Sequence, residues 1–343
     1  MGERSGIRRD ETAVKRGLAA WAAHQWPDLR PKLAGLDRPD SGWANETLLV
    51  TFAADDHVER AVIRLPQTMP LYPEYRLDAQ AAVLDALAGG PVPVPRLIAY
   101  ETDDQWLGEP FLAMSWEAGR AGPEAPALSR DLLDRPAVEQ ADLQGHFIDT
   151  LATIHAQELD LGAVLRRPDT LTGEVAWWRS YVDWATDGSP PAAMTAAVEW
   201  CAAHAPVDAG ACGLCWGDVR LGNALFDDSG RVTAVLDWEL ASLGPPEMDV
   251  AWYVVLDDLL ERFTGRRVPG FGTTDQVIAR YEAAAGRPLR SMGWHQVFAL
   301  TRSVAISERL ARLAARSGLP YPGIAGDDNP VLHELTRRIA TYG

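Results

Sequence analysis

Apolar residues recur three and four positions apart through ETAVKRGLAAWAAHQW (11–26), the spacing that lines one face of a helix. The period then shortens. TLLVTF (47–52) and RAVIRL (60–65) are β-rich runs joined by the polar AADDHVE, which predicts a hairpin. YRLDAQAAVLDALAGG (75–90) returns to helical spacing and stops at Gly89 and Gly90. PVPVPRLIAYE (91–101) and EPFLAMSW (109–116) predict two more strands with a proline-led entry.

Beyond Trp116 the pattern becomes helical. EQADLQGHFIDTLATIHAQ (139–157) places Leu143, Phe147, Leu151 and Ile154 or His155 on one face. EVAWWRSYVDWAT (174–186) and AMTAAVEWCAAHA (193–205) read as helices too. ALFDDSGRVTAVLDW (224–238) is a short β interlude around a turn at Asp228, Ser229 and Gly230. From EMDVAWYVVLDDLLERF (247–263) onward helices dominate. The pattern predicts an α+β chain of two lobes. Residues 1–115 form a small antiparallel β lobe and 116–343 a large, mostly helical one, with a ligand cleft between them.

At 343 residues both lobes can bury a core. The formal charge of −16 excludes a nucleic-acid partner, which requires a basic footprint. The charged start MGERSGIRRDETAVKRG is no signal peptide, and the most apolar later stretch, MDVAWYVVLDDLL, is too short and acidic to span a bilayer. The expectation is a cytoplasmic protein with no membrane partner. Cys201, Cys212 and Cys215 make no disulfide framework, and one CxxC without a second pair or a nearby His pair reads as buried small residues.

The chemistry concentrates in CWGDVRLGN (215–223), where Asp218 and Asn223 stand five apart. A strand, a turn and a second strand follow, and Asp237 ends that strand. An Asp to take a hydroxyl proton, an Asn oxygen for a metal and a second carboxylate brought back beside them are what phosphoryl transfer requires. No HExxH, Walker A or GxSxG motif competes.

This segment, through WGDVRLGNALFDDSGRVTAVLDWELASLGPPEMDVAWY, resembles the aminoglycoside phosphotransferase family, a branch of the protein-kinase-like fold. It is most similar to the branch that includes the kinase half of acyl-CoA dehydrogenase-type proteins. DSGWANETLLVTF, AVIRLP, PVPVPRLIAYE and TLATIHAQ extend the likeness over about 35–255. The resemblance implies a Mg²⁺-dependent transfer of the γ-phosphate of ATP or GTP to a small-molecule hydroxyl. It implies Asp218 as base, and Asn223 and Asp237 as metal ligands. Ser41 and Asn45, in the turn DSGWANE, would lie over the phosphates. Met114 to Trp116 would form the hinge that meets the base of the nucleotide. Asp249 would brace the catalytic loop, and His155 would be structural.

Three positions depart from the family pattern. The chain has two lysines, Lys15 and Lys32, both ahead of the first strand of the hairpin, so Arg64 takes the place of the phosphate-gripping lysine. Gln80 stands where that lysine's acidic partner belongs, with Glu74 as the substitute if the helix enters differently. Trp216 replaces the loop His, where it fills the space and offers one N–H. Arg220 either stabilises transition-state charge or anchors the loop through an acid. Asp257, Asp258 and Glu261 either meet a cationic acceptor or form a solvated helix face. The alternative to an active kinase is a catalytically silent, nucleotide- or ligand-binding protein of the same fold.

Overall fold

The computed structural model describes residues 9–39, 45–55, 57–165, 170–207, 210, 212–318 and 326–342. Helix α1 (Glu11–Gln25), with Asp10 capping its first turn, leads into strands β1 (Lys32–Asp37), β2 (Asn45–Ala54) and β3 (His57–Pro66). Helix α2 (Leu77–Leu87) precedes β4 (Leu97–Glu101) and β5 (Phe111–Ser115). The five strands form one antiparallel sheet in the order β1-β2-β3-β5-β4.

Alternation along each strand gives this sheet two apolar faces. Leu48, Val50, Phe52, Ala61, Ile63, Leu65, Phe111 and Ala113 pack against Val14, Leu18 and Trp21 of α1 as one closed core. The opposite face, with Val62, Leu97, Leu112 and Met114, joins α2 and the helical lobe in a second, larger core. Arg64 lies on that second face, beside Val62 and across from Thr47.

The large lobe opens with β6 (Arg120–Ala121) and helices α3 (Arg130–Leu133), α4 (Ala137–His155), α5 (Leu171–Ala185) and α6 (Ala192–Ala203). Four short strands follow: β7 (Gly213–Cys215), β8 (Ala224–Phe226), β9 (Val232–Val235) and β10 (Ser242–Gly244). Helices α7 (Glu247–Thr264), α8 (Thr274–Ala285), α9 (Met292–Ser317) and α10 (Pro330–Thr341) complete the chain. Leu143, Phe147, Leu151 and Ile154 of α4 are all buried, as the periodicity predicts. No described helix is long and apolar enough to cross a membrane.

The ten residues between β3 and α2 strap the small lobe onto the large one. Arg309 of α9 donates to the Pro70 carbonyl at 2.8 and 3.0 Å, and the Tyr181 hydroxyl of α5 donates to that of Leu71 at 3.1 Å. Strand β1, the three-residue strands β7 and β10, and the two-residue β6 lie in segments without a visible period. Their ladders join positions too distant for a local pattern to reveal.

Candidate active site

Two adjacent loops carry the candidate chemistry, and the four short strands clamp both at each end. Cys215 pairs with Ser242 at one end, and Ala224 with Val235 at the other. Residues 216–223 and 236–241 must therefore run side by side. Two bonds join them across the gap: Leu236 N–H donates to Asn223 O, and Trp216 Nε1–H to Leu236 O, each at 2.8 Å. The Trp216 indole thus uses its one N–H to hold the neighbouring loop, and its ring is buried beside Phe147 and Trp238.

The first loop is fixed from below by Asp249 at the start of α7. Its two oxygens accept the main-chain N–H groups of Trp216 at 2.6 Å and Gly217 at 2.9 Å. His155 Nε2 lies 3.0 Å from Asp249, and its Nδ1 lies 2.7 Å from the Tyr281 hydroxyl. Asp249 and His155 are therefore loop supports. Gly217 has φ +91, and a Cβ there would meet the Leu240 carbonyl at 2.2 Å, so only glycine lets the two loops approach.

Three donors converge on Asp218. Asn223 Nδ2 and Arg220 Nε reach Oδ2 at 2.8 and 2.9 Å, and Trp252 Nε1 reaches Oδ1 at 3.1 Å. The Asp218 side chain keeps 15% of its surface accessible, so it stays open to the cleft. Arg220 also pairs with Glu124. Burial opposes its charge, but Asp218 and Glu124 outweigh that and hold its pKa above the ordinary value.

The second loop presents Asp237 in the left-handed region, φ +59. Arg64 Nη2 donates to Asp237 Oδ1 at 2.9 Å, and Nη1 donates to Gln80 Oε1 at 3.2 Å. The expected register is therefore realised: α2 turns Gln80 toward Arg64, while Glu74 lies exposed ahead of the helix. A half-buried acid, Glu239, with 9% of its side-chain surface accessible, approaches Arg64 at 3.9 Å and accepts from Asn45 Nδ2 at 2.6 Å. Burial first, then Asp237, pushes the Glu239 carboxyl well above the usual carboxylate range, against the pull of Arg64. The signal available for it was its place two residues after Asp237 in LDWEL.

Asn45 is thus committed to Glu239, and its own Oδ1 is buried without a hydrogen-bond partner among the described residues. Ser41 and Gly42 lie outside the described residues. Met114 is buried in β5, paired with Val62 and Leu97. Trp116 follows at the end of that strand. Its N–H donates to Arg60 O at 3.0 Å, and the Arg60 guanidinium covers its ring at 3.5 Å. Of Asp257, Asp258 and Glu261 on α7, Asp258 pairs with Arg262 and Arg338, and Glu261 with Arg267. Burial raises the Asp257 pKa to about 6.

Comparison with known proteins identifies the family. The phosphotransferase enzyme family model matches residues 35–295. The chain belongs to that family. It is therefore a transferase of the kinase type, acting in a family whose structural neighbours include aminoglycoside and macrolide phosphotransferases.

Among curated relatives, acyl-CoA dehydrogenase family member 11 of Gallus gallus is 31% identical over 256 residues, which cover 72% of this chain and 32% of the relative. An acyl-CoA dehydrogenase of Arabidopsis thaliana is 27% identical over 291 residues, covering 77% of this chain and 34% of the relative. The chain thus spans about a third of the length of these proteins. An aminoglycoside phosphotransferase-type structure from Ralstonia eutropha superposes with TM-score 0.70 at 22% identity, over 97% of this chain and 96% of that one. APH(4)-Ia, solved as a ternary complex with ADP and hygromycin B, gives 0.57 at 14% identity, over 94% and 98%. At those identities the structures establish the fold: the phosphotransferase form of the two-lobed kinase architecture.

Proposed function

We propose that this phosphotransferase moves the γ-phosphoryl group of ATP or GTP to a hydroxyl of a small molecule, with Asp218 as base and Mg²⁺ held by Asn223 and Asp237. One observation carries the reading: the double clamp of β7–β10 and β8–β9 brings Asp218, Asn223 and Asp237 into one cluster beneath Arg64.

The donor set fits a hard divalent cation. Asn223 spends its NH₂ on Asp218, which leaves its carbonyl oxygen, and Asp237 offers a carboxylate that already attracts a guanidinium. Bound Mg²⁺ would supply neutralisation of the phosphate oxygens. Arg64 grips the non-transferred phosphates, with Gln80 steering its other nitrogen. Asp218 accepts the acceptor's proton as the new O–P bond forms and the bond to the departing nucleoside diphosphate breaks. Arg220, beside Asp218, faces the charge that develops there. Met114 and Trp116 flank the base of the nucleotide. The hygromycin B complex of APH(4)-Ia supports a nucleotide and an acceptor meeting in this fold. Use of ATP or GTP favours a cytoplasmic setting.

The test is thermal unfolding with ATP and with GTP, each with and without Mg²⁺, in the wild type and Asp237→Ala. Nucleotide at about 100 times its Kd should add about 2.7 kcal/mol. A Mg²⁺-dependent rise lost in the variant supports the site and leads to a panel of aminoglycoside, macrolide, sugar and hydroxyacyl-thioester acceptors. No rise with either nucleotide would sink it in favour of a silent scaffold.

A further inference from the structure

We propose that Arg302, reaching in from α9, is the positioning residue of the catalytic base. It lies beyond residue 295, where the family match ends. Its guanidinium is buried within cation–π distance of two indoles, 4.6 Å from the Trp252 ring and 4.9 Å from that of Trp178. Its Nη2 donates to the Gly217 carbonyl at 2.9 Å. Gly217 is the residue immediately before Asp218, and Trp252 is the residue whose indole N–H holds Asp218 Oδ1 at 3.1 Å. One side chain therefore grips the base twice: through the main chain behind it and through the ring beside it.

The chemistry requires arginine. A planar guanidinium offers two faces to aromatic rings while its edge still donates. A lysine would keep the charge but supply neither the second face nor the fork. With Trp252 on Oδ1, and Arg220 and Asn223 on Oδ2, the plane of the carboxylate is set. Its remaining lone pairs have one direction in which to meet an acceptor hydroxyl. Displacement by about 1 Å at such a centre costs on the order of 100-fold in rate.

The inference rests on Asp218 being the base, so the experiment separates the two. Protein carrying ¹⁵N-labelled tryptophan is compared as wild type, Arg302→Lys, Asp218→Asn and Trp252→Phe, the last identifying the Trp252 indole resonance. ATP turnover with Mg²⁺ is measured on the same samples. The expected result is that Arg302→Lys moves the Trp252 resonance toward its position in Asp218→Asn. Turnover should fall by roughly 10- to 100-fold, with KM for MgATP held within about twofold. A Trp252 resonance and a kcat that both stay at wild-type values in Arg302→Lys overturn the proposal. Where the wild type turns over no ATP without its acceptor, the resonance alone decides, and a Trp252 resonance unmoved in Arg302→Lys overturns the proposal. If Arg302→Lys does not fold, Trp252→Phe keeps an aromatic ring beside Arg302 and removes the pyrrole ring with its N–H; an unchanged kcat in that variant also overturns the proposal.

Discussion

Asp218 and the pair Asp237 and Glu239 sit on neighbouring loops, yet the protein treats their charges differently. Asp218 meets three N–H donors, one of them the Arg220 guanidinium, and keeps a face toward the cleft. Asp237 and Glu239 share the Arg64 guanidinium, and the Asn45 amide donates to Glu239. The first centre is finished by the protein itself, and its geometry is set by packing. The second sets two acids against that one guanidinium, and burial together with Asp237 disfavours the charge on Glu239. On the proposed reading a divalent cation would sit at Asp237, with Asn223 reaching it from the first loop. The division matches the two tasks of the reaction, aligning a nucleophile and neutralising phosphates.

The largest expected effect breaks the first centre and spares the second. Asp218→Asn should lower turnover by about 10²- to 10⁴-fold, the usual worth of a general base. The nucleotide-induced rise in melting temperature should survive. Retained turnover would remove Asp218 from the base role.

Next comes Arg64→Met, which strips the shared cation from the second centre. Losing one partner of a buried ion pair costs about 3–5 kcal/mol. Asp237 keeps 21% of its side-chain surface, so the lower end of that range is expected. The urea midpoint reads it directly, and the same variant should lose the nucleotide shift. A midpoint equal to the wild type would mean that the two acids do not depend on Arg64.

The smallest effect should come from Glu239→Gln. Glu239 has its pKa raised by burial and by Asp237, so its charged form is disfavoured in the fold. A raised carboxyl contributes stability below its unfolded pKa, and that contribution is lost as pH climbs toward the folded value. The wild type should therefore lose stability across that rise, while Glu239→Gln, which still accepts from Asn45, should lack that part of the slope. Identical pH profiles for the two proteins would contradict this account of Glu239.

The sequence revealed these two centres unevenly, for a physical reason. Asp218, Asn223 and Asp237 fall within one contiguous motif, and a hairpin of predictable length returns Asp237 to the loop. Gln80 opposite Arg64 is what the family resemblance implies, and Arg64 Nη1 lies 3.2 Å from Gln80 Oε1. Trp252 and Arg302 are different. They reach the loop from α7 and α9, 34 residues from Asp218 and 85 from Gly217 respectively. Neither helix carries a local sign of what its inward face will touch. The family resemblance implies Asn45 as a phosphate contact. The structure gives its amide a partner 194 residues away, which no local reading could supply.

The boundary between the two hydrophobic cores does not run between the lobes. It runs through the small lobe, along the plane of its sheet, with α1 and one face on one side and α2 with the other face joined to the helical body. Leu84 of α2 borders the same small cavity as Val235 and Trp238 of the large lobe. Severed at residue 116, the small lobe would leave Leu77, Val83, Leu84 and Leu87 without the surface that covers them. Both sides of the cleft therefore draw on one continuous apolar interior, and a substitution in α2 is felt by the helical body as much as by the sheet above it.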